Sequence, residues 1–205
     1  MKTLSPRCNS CRLLAVVLVL LLGGCGSLSR HPKNGADGAT QAKPLPHDYQ
    51  QAVQLMRDGE YQAAIPALRS FADSHPELAG PWINLGIAYR HGGQPDKAQQ
   101  ALSRAIELNP DNAVAYQQAG MLYRQQGDFG AALESYNKAL QLDPDYALAH
   151  RNIGILYDLY LGQPEQALAH YRRYLELVAQ PDPTVEAWVI DLERRNKTAQ
   201  ARAKP

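Results

Sequence analysis

Cysteine, phenylalanine and tryptophan are scarce in this chain, with three, two and two residues among 205. All three cysteines, Cys8, Cys11 and Cys25, lie at the N-terminal end, so no disulfide framework or thiolate metal site can span the body of the chain. An excess of one charge is lacking as well. Twenty-one basic side chains face 20 acidic ones, which argues against a nucleic-acid partner, since binding phosphates calls for a basic face. No apolar run approaches the roughly 20 residues that a helix needs to cross a bilayer. Catalytic signatures are missing too: there is no HExxH, no phosphate loop, no nucleophile elbow and no Gly-rich dinucleotide fingerprint. The histidines His31, His47, His75, His91, His150 and His170 are scattered. His150 and His170 can approach each other, but a lone pair is no metal site. No cofactor and no metal are expected, and the chain does not read as an enzyme.

What the chain has is a period. Pro76, Pro110 and Pro144 recur at one step (110 − 76 = 34; 144 − 110 = 34), and so do Gly86, Gly120 and Gly154, Tyr89, Tyr123 and Tyr157, and Ala64, Ala98 and Ala132. Independent columns sharing one step define a structural repeat. With Ala79 as position 1, the repeats are 79–112 and 113–146, flanked by less regular ones at 45–78 and 147–180. Large residues at positions 4, 7 and 11 fall on one face of a first helix, because steps of three and four return a side chain to the same side. Small residues at 8 and 20 let two helices approach closely. Gly93 and Gly127 fall between the helices, where a C-terminal cap takes positive φ at little cost, and the prolines end the second helix. Each repeat is therefore predicted to be a helical hairpin.

The outer repeats depart from the pattern, as the ends of a stack do. Asp48 replaces the aromatic and Ala52 the glycine of the first repeat. In the fourth, Tyr157 to Ala167 is ten steps where Tyr89 to Ala98 is nine, so one extra residue lies in 158–162. That longer turn either reshapes the end of the groove or is simply tolerated. Beyond it, Val185, Trp188, Val189 and Leu192 give an apolar stripe. They predict a capping helix over 181–195 with Thr184 as its N-cap and a frayed tail at 196–205.

Trp82, Gly86, Tyr89, Ala98, Ala105 and Pro110, with their counterparts one period on, resemble the tetratricopeptide repeat (TPR). The resemblance implies an all-α fold, a right-handed superhelical solenoid of about four hairpins plus the capping helix, and a role in binding proteins rather than in catalysis.

The N-terminus carries a second signal. Lys2, Arg7 and Arg12 precede the apolar run Leu13–Leu22, a pattern of secretory signals. Leu22-Gly23-Gly24-Cys25 is similar to a bacterial lipobox. That resemblance implies cleavage after residue 24, lipidation of Cys25 and, with Gly26 rather than Asp following, delivery to the outer membrane facing the periplasm. An ordinary cleaved signal with an incidental cysteine is the other reading. Residues 25–44 are rich in Gly, Ala, Pro and polar residues and read as a flexible tether. Removing three basic residues leaves 18 basic against 20 acidic side chains (21 − 3; 20 − 0).

In the TPR family the concave face is lined mainly by first-helix positions 2, 5, 6, 9, 12 and 13. Here position 6 reads Gln50, Asn84, Gln118 and Asn152, an amide ladder able to pair with an extended peptide backbone. Asparagine is also the family consensus there, so the ladder alone does not define a site. Position 9 reads Val53, Ile87, Met121 and Ile155, either an apolar strip for a ligand or packing between hairpins. Tyr49 and Ile83 belong to the same face. Arg57, Arg90, His91, Arg124 and Arg151 are expected on a basic rim favouring acidic or C-terminal ligands. The lysine and asparagine that clamp a carboxylate in chaperone-binding members are replaced by Tyr49 and Val53, so that clamp is not expected.

These features predict a lipid-anchored scaffold that takes a protein or peptide in its concave groove and serves an envelope machine, with pilus or secretion assembly favoured by analogy. An accessory lipoprotein that positions peptidoglycan enzymes, or binds glycan directly, is the alternative. Self-association through Trp188 also stays open.

Overall fold

A computed structural model describes residues 46–203. The expected leader 1–24, Cys25 and the tether 25–44 lie outside the described residues. Those described form nine helices and no strand: α1 (His47–Arg57), α2 (Tyr61–Ser74), α3 (Ala79–His91), α4 (Pro95–Leu108), α5 (Ala113–Gln126), α6 (Phe129–Leu142), α7 (Ala147–Leu159), α8 (Pro164–Leu177) and α9 (Pro183–Ala203). None is long and apolar enough to cross a membrane.

The helices pair as hairpins, α1 with α2, α3 with α4, α5 with α6 and α7 with α8, and each hairpin packs on the next. The turns inside the hairpins hold Gly59, Gly93, Gly127 and Gly162, all at positive φ. Gly127 shows the device fully. At φ 82° it caps α5, its N–H bonding back to the Arg124 and Tyr123 carbonyls, a geometry that a Cβ would strain. Asn112 and Asp128 cap α5 and α6 by accepting from the Ala115 and Ala131 N–H groups, each satisfying a donor that a helix start otherwise leaves unpaired.

In the second, third and fourth hairpins a glycine of the first helix meets a large side chain of the second, Gly86 with Leu102, Gly120 with Tyr136 and Gly154 with Tyr171. Gly120 lies so close to the ring of Tyr136 that a Cβ there would sit 2.6 Å from two of its carbons. Tyr136 itself is fully buried with Ala132, Ile153 and Leu156. Glycine is thus the residue that lets a tyrosine fill the core between two backbones.

First helices also touch one another, α3 with α5 and α5 with α7. On the opposite side α4 and α6 are splayed by a cleft of about 820 Å³ lined by Gln99, Ser103, Glu134 and Lys138 among others. A stack that is close on one side and open on the other curves. The first helices therefore form its concave wall, as the resemblance implies.

Two expectations at the C-terminal end are corrected. The N-cap of the last helix is Asp182, not Thr184: its Oδ1 accepts from the Thr184 and Val185 N–H groups at 3.1 and 3.2 Å, while Oδ2 accepts from the Tyr174 hydroxyl at 2.8 Å. Pro183 then occupies the first helical position, where its missing N–H costs nothing. The tail is helical past residue 195, to Ala203. Asn196 to Ala203 contains neither Gly nor Pro, and its Ala, Gln, Lys and Arg residues favour helix. Val185 and Leu192 are buried against Tyr171 and Tyr174, whereas Trp188 meets Tyr171 at 5.4 Å with one side exposed.

The extra residue of the fourth hairpin lengthens the α7–α8 turn. Tyr160, which ends α7, tilts over Phe129 at 4.6 Å, so the insertion closes back on the preceding hairpin.

Candidate functional site

The concave wall sorts the expected site residues by depth. Tyr49 is a core residue at 6% exposure, stacked on Phe71 at 4.1 Å; its hydroxyl accepts from Asn84 Nδ2 at 2.9 Å. Ile83 is buried with Ala105 and Ala115. The amide column is therefore uneven: Gln50 is exposed, Asn84 is half-buried and held by Tyr49, Gln118 is half-buried, and Asn152 is buried. The Oε1 of Gln118 has no partner.

Val53, Ile87, Met121 and Ile155 are each half-buried, and each packs against a different core cluster. Packing and surface are both present in this column. Its members seal the joints between hairpins and leave part of each side chain on the wall. Met121 Sδ accepts from Gln117 Nε2 at 3.2 Å.

The basic residues are placed differently from the expected rim. Arg57 and His91 are exposed, Arg124 and Arg151 are half-buried, and Arg90 is buried at 8% exposure. Arg90 belongs to the floor. It sits there because the preceding hairpin brings Tyr61 onto His91, ring on ring at 4.0 Å, and the Arg90 Nη2 donates to His91 Nε2 at 2.9 Å. Burial lowers the pKa of the Arg90 guanidinium from its ordinary value; Tyr61 and Tyr136 oppose this and the Arg124 charge adds to it. Burial and Arg90 likewise lower the pKa of His91, so His91 accepts as the neutral ring. Arg124 lies over the Tyr160 ring at 5.9 Å and Arg151 over Tyr174 at 5.7 Å, contacts that hold a guanidinium without neutralising it.

Sequence reasoning passed over Gln117, which is 2% exposed, with an Oε1 that no protein group satisfies. It stands at position 5, one residue before the amide ladder, and reading that column across the repeats would have shown a polar residue where Ile83 is apolar. Buried polar atoms without a protein partner are uncommon in folded domains. Among the described residues, Trp82 Nε1, Arg90 Nε, Gln117 Oε1, Gln118 Oε1, Arg124 Nε and Arg151 Nε belong to first helices, and one further atom, the Tyr136 hydroxyl, belongs to α6. None of the residues lining the outer cleft between α4 and α6 carries such an atom. We therefore place the candidate site on the concave wall.

His150 and His170 do meet, Nδ1 to Nδ1 at 3.0 Å, with His150 Nε2 bonded to the Pro144 carbonyl at 3.0 Å. The carbonyl can only accept, so His150 donates from Nε2 and accepts His170's Nδ1–H. Burial, then the neighbouring His150, lowers the His170 pKa to about 4. Among the described residues no group of three metal-binding side chains exists; the pair is a structural contact.

Residues 55–120 match the tetratricopeptide repeat family and residues 120–159 match the TPR repeat family. The chain is a tetratricopeptide-repeat protein. No curated protein matches its sequence. Among solved structures it is similar to pilF of Pseudomonas aeruginosa (TM-score 0.67, 21% identity, 74% of this chain and 68% of that one). It is also similar to a thermophilic TPR protein of Thermus thermophilus (TM-score 0.62, 25% identity, 71% and 79%). A third is the first TPR of Spaghetti bound to an HSP90 peptide (TM-score 0.54, 22% identity, 58% and 93%). These likenesses establish the helical-repeat fold, and TPR domains are in general protein-binding scaffolds.

Proposed function

We propose that this protein is a non-catalytic scaffold whose concave wall, from α1 to α7, takes an extended or helical segment of a protein partner. The observation that carries this reading is the clustering of unpartnered buried polar atoms on the first helices, beside the half-exposed Ile87 and Met121. Such atoms cost free energy unless a ligand or water satisfies them. The half-buried apolar column supplies surface to cover.

The lipobox-like Leu22-Gly23-Gly24-Cys25 supports the rest of the proposal. Cys25 carries lipid, residues 25–44 tether the repeats, and the domain works in the periplasm from the outer membrane. About twenty tether residues give a reach on the order of 25 Å. A short lipid-anchored stack of this kind fits the assembly of an envelope machine, and we favour pilus or secretion assembly.

Photo-crosslinkers at Ile87 and Met121 in intact cells test the groove. Capture of a protein partner there, and not at Glu134 or Asn137 in the outer cleft, is the expected result; capture through the outer cleft alone refutes it. Cys25→Ser should release the protein from membranes, and full retention would refute the lipid anchor.

A further inference from the structure

We propose that the outer cleft between α4 and α6 binds an oligosaccharide, giving the molecule a second ligand face on the side away from the concave wall. The inference stands on the cleft alone and does not depend on the wall taking a peptide.

The cleft exists because its joint is not bridged. Between the first and second hairpins, Gln62 Nε2 donates to the Gly92 carbonyl at 2.8 Å and Arg69 Nε donates to the Tyr89 hydroxyl at 3.1 Å. Between the third and fourth, Arg173 reaches Asp145 at 2.5 Å. Between the second and third, among the described residues, no side chain of α3 or α4 bonds one of α5 or α6. An opening of about 820 Å³ is left there, within the roughly 300–1,000 Å³ typical of ligand sites.

The lining selects the ligand. Its floor is apolar, with Leu102 and Leu122 each 2% exposed, and two half-buried tyrosines, Tyr116 and Tyr123, line it from α5. Its walls carry Gln99, Ser103, Asn137 and Gln141, none with a side-chain hydrogen-bond partner in the protein. Glu134 and Lys138, the only charged residues of the lining, have the spacing and order that favour an ion pair along a helix, yet they do not pair with each other. The lining charge therefore sums to zero, which suits no polyanion. Carboxamides and hydroxyls both donate and accept, as the hydroxyls of a sugar do, and the Glu134 carboxylate can accept from two of them. A tyrosine ring offers a flat face to the C–H side of a sugar ring. A protein helix would instead anchor on large exposed apolar residues, and none of those exposed among the described residues lines the cleft. Tyr116 and Tyr123 are seven residues apart on one helix, so they share a face and stand about 10 Å apart along its axis. One sugar cannot cover both, so the ligand is a chain.

The test uses the full chain in a polyoxyethylene detergent, which has no sugar headgroup to compete. The probes are immobilised neutral oligosaccharides of one to six hexose or N-acetylhexosamine units, with uronic-acid chains of the same lengths beside them. Wild type should retain neutral chains of two or more units more strongly than single sugars. Glu134→Gln, at an exposed position, should weaken retention about tenfold or more, the scale of a charge-assisted hydrogen bond. Tyr116→Ala should weaken it about fivefold, the scale of a ring contact. If Tyr116→Ala loses its helical circular dichroism, Glu134→Gln and the exposed Asn137→Ala carry the test. No retention by folded wild type, or retention of uronic-acid chains alone, overturns the proposal. Retention of neutral chains that is unchanged in both Glu134→Gln and Asn137→Ala places the sugar elsewhere and overturns it too. A photo-crosslinker at Asn137 that captures a protein in intact cells, with the capture lost in Glu134→Gln, shows a protein ligand in the cleft instead and overturns the saccharide.

Discussion

Replacing Gly120 by alanine tests how the hairpins are packed. The new Cβ would lie 2.6 Å from Cδ1 and Cε1 of Tyr136 and 3.0 Å from Cζ. Carbon atoms prefer about 3.5–4.0 Å, so the ring must retreat by roughly 1 Å. It has nowhere to go: Tyr136 is fully buried, pressed by Ala132, Ile153 and Leu156. Overpacking of this kind costs about 1–3 kcal/mol, and alanine recovers about 1 kcal/mol of helix propensity over glycine. The net expectation is a loss of about 1 kcal/mol. Gly86 provides the comparison. Its Cβ would meet Leu102 Cγ and Cδ2 at 2.6 and 2.8 Å; Leu102 is buried as well, but a leucine has other staggered rotamers to move to whereas a ring shifts only as a body, so Gly86→Ala should cost less than Gly120→Ala. Urea unfolding followed by circular dichroism, analysed with nearest-neighbour coupling because repeat arrays depart from two-state behaviour, measures both. Equal stability of Gly120→Ala and wild type, or a larger loss at Gly86 than at Gly120, would refute the reasoning.

Other perturbations reach the rest of the molecule. Asp182→Ala removes the cap of α9 and the acceptor of the Tyr174 hydroxyl, and should cost about 1–2 kcal/mol, seen as earlier loss of α9 amide protection in hydrogen exchange. Acidification should weaken the α7–α8 hairpin. His170 has a folded pKa of about 4, depressed from 6.5, so its contribution is complete above pH 6.5 and is lost as pH falls towards 4. Its partial exposure reduces the loss to roughly 1–2 kcal/mol, and His170→Gln should flatten a plot of unfolding midpoint against pH in that window. Arg90→Met should raise the thermal midpoint of the unliganded protein, by about 1–2 kcal/mol in stability, because it removes a buried charge that has no counter-ion. A lower midpoint would show that the His91 contact outweighs the burial cost.

The periodic columns made the hairpins legible because glycine, alanine and proline act locally. Gly127 needs only its own φ, and Pro110 needs only to stop the helix before it. Depth was less legible. A column rule assigns a face, whereas burial depends on what the neighbouring hairpin brings to that face. The column puts Arg90 on a rim because it faces the groove; Tyr61 and His91, which cover the side chain, come from another hairpin and from outside the column. Tyr49 was similarly drawn inward by Phe71 and Asn84. At the C-terminus, Thr184 and Asp182 are both good caps by residue type. The choice went to Asp182 because Pro183 suits the first helical turn and Tyr174 already reaches the second carboxylate oxygen.

The element contacts are those of a chain that meets itself only in order: each hairpin touches its immediate neighbours, and the main partner of α9 is α8. Loop closure therefore brings together residues close in sequence, a route that favours rapid folding. It also means that the molecule has ends. Force or a protease acting at one terminus can peel one hairpin while the rest stays intact, so the damage is graded rather than all-or-none, and under force it is reversible. A binding surface laid across several hairpins works against this, since a bound peptide ties non-adjacent repeats together. Such a peptide would act as a splint as well as a ligand.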